Sequence, residues 1–241
     1  MQPLAPPART APAVPDWTNE RTTRRVGGAC GILGALALAL YFVLPAFLAW
    51  PYAGASGQAI VEYANSHPAL FYAGAWLQVT GTVLCVVFFL SLVRLAGPTL
   101  ELAGLLALVG ATVLLSTVVI EAAFLVAVPI AAKAGDVGTA SSMFALSNGV
   151  FVRVFPLAPA SLTLVALGLV LLRSGLLGRP TAWIALGLGV AFELAGVLAI
   201  ISGVAVVAAA VLSAAQGLWV LAAAALLLAS SRSKLGGSPA V

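Results

Sequence analysis

Charge is what this chain lacks most. Only 7% of its 241 residues are Asp, Glu, Lys or Arg, while 62% are apolar; a soluble domain carries roughly a quarter charged residues. So few charged groups cannot cover a water-exposed surface of this size, and with a mean hydropathy of +1.14 the excess apolar surface must face lipid. Histidine is reduced to His67 and aspartate to Asp16 and Asp136, all outside the apolar runs. That scarcity argues against bis-histidine haem ligation, a His-rich zinc site, a Ser/His intramembrane protease and an acidic magnesium cluster. No Walker-type glycine loop is present, and no cofactor is expected. Cys30 and Cys85 lie in apolar segments without a C-x-x-C arrangement, so both are expected as buried, reduced thiols.

What is present is an all-α pattern: a polytopic bundle of six apolar spans, near 27–50, 68–93, 100–131, 143–172, 181–203 and 206–230, each long enough to cross a bilayer. The run from Thr181 to Ser230 is about twice the needed length and is folded into a hairpin near Ser202-Gly203. Gly97-Pro98-Thr99 and Gly178-Arg179-Pro180-Thr181 punctuate two tight connections. Residues 1–25, rich in proline and alanine and closing on Arg21, Arg24 and Arg25, read as a disordered basic cytoplasmic tail, 26–231 as the transmembrane domain, and 232–241 as a short cytoplasmic tail. Thr23-Arg24-Arg25 resembles a twin-arginine signal, yet the apolar stretch that follows is longer than the roughly 7–15 residues of a signal core, so an uncleaved first span is expected.

With the amino terminus inside, Arg9, Arg21, Arg24, Arg25, Arg94, Arg173, Arg179, Arg232 and Lys234 lie on the cytoplasmic side, against Lys133 outside. This bias places both termini in the cytoplasm. The net charge of +4 therefore reflects topology rather than nucleic-acid binding. Between the first two spans, Ile60, Val61 and Ala64 share a helical side beneath Glu62 and Asn65, which predicts a short helix on the outer surface. Lys133 to Ser142 reads as a glycine-containing loop. Glu101-Leu-Ala-Gly104 recurs as Glu193-Leu-Ala-Gly196, a coincidence expected in so Ala/Leu/Gly-rich a chain.

Small residues mark helix-contact faces. Gly27, Gly31, Gly34 and Ala35 form one stripe; Gly74, Gln78, Thr82 and Cys85 another; Gly189, Glu193, Gly196 and Gly203 a third. Gln78 and Thr82 are expected as interhelical hydrogen-bond glue, with a ligand contact as the alternative. Glu101 to Glu121 and Arg153 to Arg173 are both intervals of 20 residues, about 30 Å of helix. Glu121 and Arg153 are thus expected at the same outer level as an ion pair, with Arg153 binding an anionic or zwitterionic molecule beside Asn148, His67 and Trp76 as the functional alternative. Glu193 falls near mid-membrane. It is either a neutral acid sharing a hydrogen bond with Gln216, at nearly the same depth across the hairpin, or a proton- or ligand-coupled site.

The Arg24-Arg25-Val-Gly-Gly-Ala-Cys-Gly stretch, the Phe71–Arg94 segment with Phe88-Phe89-Leu90-Ser91-Leu92, and Gln216-Gly217-Leu218-Trp219 together resemble a bacterial family of six-helix integral membrane proteins of unknown function. The resemblance implies a multi-pass protein of the bacterial plasma membrane and no catalytic residues. Arginine outnumbers lysine nine to two, as expected of a GC-rich bacterial genome. The first functional expectation is a non-catalytic membrane protein that binds partners or supports an envelope complex, with the lipid bilayer and a second copy or another membrane protein as partners. A small transporter or ligand sensor using Glu193 and the outer polar cluster is the alternative. An intramembrane enzyme comes third, for want of a nucleophile–base pair or metal set.

Overall fold

The computed structural model describes residues 19–47, 50–52, 54–97, 101–201 and 205–233. Regular structure among them is helical throughout: α1 (Glu20–Phe47), α2 (Gly57–Ser66), α3 (Pro68–Ala96), α4 (Glu101–Lys133), α5 (Val137–Gly149), a π-helical stretch in two pieces (Val150–Val154 and Pro156–Ala160), α6 (Ser161–Ser174), α7 (Arg179–Ile201) and α8 (Ala205–Ser233). Six segments are long and apolar enough to cross a bilayer, with α5, the π stretch and α6 forming one of them. The turn expected at Ser202-Gly203 lies outside the described residues, between the ends of α7 and α8. The same is true of residues 1–18 and 234–241 of the expected tails.

Several boundaries differ from expectation for local reasons. Residues 20–25 belong to α1 rather than to a tail, because Asn19 Oδ1 accepts the Arg21 N–H at 2.9 Å and Glu20 pairs with Arg24 one turn on at 2.6 Å. The expected loop at 133–142 is mostly helix. Asp136 starts α5 by accepting from both the N–H and the hydroxyl of Thr139, at 2.9 and 2.6 Å. Those two donors hold its carboxyl below the ordinary carboxylate range.

The short helix between the first spans is present as α2, with Ile60, Val61 and Ala64 buried. Its apolar side is covered by protein, however. Phe71 of α3, Leu125 and Val128 of α4, and Ala140 and Phe144 of α5 pack against it, so α2 caps one end of the bundle.

The fourth span is not a continuous α-helix, as its hydropathy alone predicts. Pro156 and Pro159 have no N–H to donate, and the ladder widens to five-residue steps: Phe155 N–H donates to the Val150 carbonyl at 2.9 Å and Ala160 N–H to that of Phe155 at 3.1 Å. Elsewhere, small residues bring helices together as the stripes imply. A Cβ on Gly34 would sit 2.7 Å from the Gly81 carbonyl oxygen, and one on Gly189 3.0 Å from that of Ser161, so α1 meets α3, and α7 meets α6, almost backbone to backbone. Trp219 ties α8 to α7 through a 2.9 Å hydrogen bond to the Thr181 carbonyl.

Candidate functional site

Counting along each helix from the end where the described chain starts and stops gives a common level. Tyr41, Gln78, Glu121 and Ser213 all lie about 27–32 Å from that end at 1.5 Å per residue. They come from four different helices, α1, α3, α4 and α8, and all four line one cavity of about 420 Å³. That volume lies within the usual range of roughly 300–1,000 Å³ for small-molecule sites.

The helix faces that form this polar ring follow from packing. On α4 the residues Ala107, Ala111, Leu114, Val118, Glu121, Leu125 and Val128 alternate steps of four and three and are all buried. Glu121 thus sits on the seam of the helix, only 2% exposed. Tyr41 donates its hydroxyl to Glu121 Oε1 at 3.3 Å, and the Gln78 side chain interacts with the same carboxyl. Gln78 is 4% exposed and Ser213 8%. Among the described residues, Gln78 Oε1 and Ser213 Oγ have no hydrogen-bond partner. A buried polar atom left unmatched costs about 1–3 kcal/mol, and here two such atoms belong to residues that line the same space.

Below the polar level Thr82 and Cys85 join a wall that is otherwise apolar. Ala35, Leu114, Phe89 and Val220 line it there, and Phe151 and Phe155 reach the cavity from the π stretch. Its rim is identifiable because Ala39, Phe42 and Val43 of α1 and Ala214 and Leu218 of α8 both line the cavity and remain exposed. The two helices are pinned together at the other end, where a Cβ on Gly28 would meet Leu228 and one on Gly31 would meet Ala224. They diverge from there. The opening faces sideways, onto the apolar outer surface of the bundle, and the ring centroids of Phe42 and Phe151 lie 5.5 Å apart in the cavity wall.

The structure redistributes the residues singled out from the sequence. Glu121, Gln78 and Gln216 line the cavity together. Arg153 does not join them: it is exposed on the π stretch, and the salt bridge found among the described residues is Arg24–Glu20, so the expected Glu121–Arg153 pair is not formed. A π turn inserts an extra residue per turn and rotates what lies within it away from the α-helical phase. Glu193 does not bond Gln216 either. Its Oε2 accepts from Ser161 Oγ at 2.6 Å, and the same hydroxyl lies 2.6 Å from the Leu157 carbonyl oxygen. The residue is exposed at the side of α7 and does not line the cavity.

Tyr41 and the aromatic pair Phe151 and Phe155 are added by the structure. Tyr41 carries a sequence signal, a phenol in an apolar span that needs a partner, and Ser213 carries one in the polar patch that it forms with Gln216 and Gly217 in the last span. No protein-family model, curated protein or solved structure matches this chain.

Proposed function

We propose that this is a multi-pass membrane protein that binds a small amphipathic molecule from the lipid phase, acting as a transporter or ligand sensor rather than by catalysis. The observation that carries the reading is a cavity of about 420 Å³ lined by Glu121, Gln78 and Ser213, two of which hold a buried polar atom, Gln78 Oε1 and Ser213 Oγ, with no partner. Unpaired polar groups in an otherwise apolar wall are expected where a ligand supplies the missing partners. Polarity is graded along the cavity, so a head group would sit beside Glu121 and an apolar tail would run towards Phe89. The gap between α1 and α8 gives such a molecule a path that never leaves the bilayer. Arg21, Arg24, Arg25, Arg94, Arg173 and Arg179 gather at the opposite end of the spans from Lys133, which supports a cytoplasmic location for that end and an outer-leaflet depth for the polar level.

Binding of radiolabelled dodecanol and dodecylamine to the full chain in phosphatidylcholine nanodiscs tests this, after subtraction of binding to empty discs. At least one probe should bind saturably, and Ala214→Trp, which fills the rim, should reduce that binding by about tenfold or more. Non-saturable uptake of both probes, or an Ala214→Trp variant that binds as wild type, would mean that the two atoms are matched by water alone, and the reading would fall.

A further inference from the structure

We infer that the head group this cavity takes is a primary ammonium, so that the ligand is a lipophilic amine. The inference rests on the binding reading above and adds the charge and donor count of the ligand. Among the described residues that line the cavity none is basic, whereas Glu121 is enclosed in its wall. A carboxyl enclosed by apolar side chains needs either a proton or a cation as its partner. The absence of a guanidinium or ammonium side chain also disfavours an anionic ligand, which would face Glu121 with nothing to offset the repulsion.

Each unmatched group at this level offers an acceptor. Gln78 Oε1 is an amide oxygen with no donor, the Ser213 hydroxyl has no partner and offers lone pairs beside its own proton, and the Glu121 carboxyl has lone-pair sites beyond those used by Tyr41 and Gln78. Three acceptors at one depth, on α3, α4 and α8, match the three N–H groups of a primary ammonium. An alcohol offers one donor and a quaternary ammonium none. The aromatic residues Tyr41, Phe42, Phe151 and Phe155 line the same space, and aromatic rings around a head group favour a cation over a neutral one.

The test compares four C12 probes in the nanodisc assay: dodecylammonium, dodecyltrimethylammonium, dodecanol and dodecanoate. Dodecylammonium should bind about tenfold or more tighter than dodecanol, with the quaternary ion between them and dodecanoate failing to compete. Glu121→Gln should abolish the preference for the amine over the alcohol. Gln78→Leu and Ser213→Ala should each narrow the gap between the primary and quaternary ions. Equal binding of amine and alcohol, equal binding of primary and quaternary ions, or preferred binding of dodecanoate would overturn the ammonium assignment while leaving the cavity reading intact. Failure of every probe to saturate would instead remove the reading on which it rests. Since the wild-type ranking needs no variant, a Glu121→Gln protein that does not fold leaves the inference fully exposed to refutation.

Discussion

Two carboxyl groups lie well inside the apolar helices, and they are placed in opposite ways. Glu193 is exposed along the side of α7, yet its oxygen is committed to Ser161 on the neighbouring α6. Glu121 is buried on the seam of α4, yet the space in front of it is open and two of the polar atoms around it are unmatched. Exposure and availability therefore run against each other. The carboxyl with more accessible surface is the one already paired across a helix contact, and the enclosed one is the one with room for a partner. Depth in the membrane does not assign function to an acidic residue; the state of its immediate neighbours does.

The largest separation between the two regions should come from wedging apart the helices that hold each. Gly34→Leu drives a side chain into Gly81 and Cys85 across the α1–α3 contact, and should cost about 3 kcal/mol and abolish probe binding. Gly189→Leu does the same to α7 against Val165 and the Ser161 carbonyl. It should lower the melting temperature comparably while its folded fraction still binds dodecylammonium. If both variants lose binding in proportion to stability, the two regions are not independent.

A gentler contrast removes the carboxyls themselves. Glu121→Leu should weaken dodecylammonium binding by about tenfold or more, whereas Glu193→Leu should change it by less than about twofold, as saturation binding would show. Smaller still is the effect of two serines that differ only in having partners. Ser161→Ala removes the bond to Glu193 and should lower stability by about 1 kcal/mol. Ser213→Ala removes a buried hydroxyl with no partner and should leave the melting temperature unchanged or slightly raised.

The smallest effect lies outside both regions, at the α5 cap. The Asp136 carboxyl is held below its ordinary range by Thr139, so its contribution is complete above the unfolded carboxylate range near about pH 4. It is lost as pH falls through the depressed folded value. Asp136→Asn should keep the cap and remove this pH dependence, which thermal melts across acidic pH would detect.

Much of this architecture is legible from sequence because span length and depth are counted in residues. The 20-residue intervals place Glu121 and Arg153 at one level, and the structure agrees, both lying roughly 30 Å from the same end. The faces are harder. Arg153 sits in the π stretch, where the α-helical phase is lost, and the signal for that stretch was the closely spaced pair Pro156 and Pro159. For Glu121 a signal did exist: the alternating steps from Ala107 to Val128 put it on the buried seam, which excludes an interfacial pair. Gln216 and Glu193 match in depth but belong to different surroundings, and no count along one helix reveals which neighbour a side chain meets. Ser213 stands out in sequence as part of the polar patch with Gln216 and Gly217, but its missing partner is visible only in the structure.

The central claim is that the ligand site is the cavity beside Glu121 and not the membrane face beside Glu193. It is tested most directly by photolabelling with a dodecylamine that bears an aliphatic diazirine near the end of its chain, on the full protein in nanodiscs, with peptides mapped by mass spectrometry. Saturable labelling of α1, α3 and α8 around Ala35, Phe89 and Val220 is expected, competed by unlabelled dodecylamine and lost in Ala214→Trp. Labelling concentrated on α7 near Glu193, or spread over the lipid-facing surface without saturation, would contradict it.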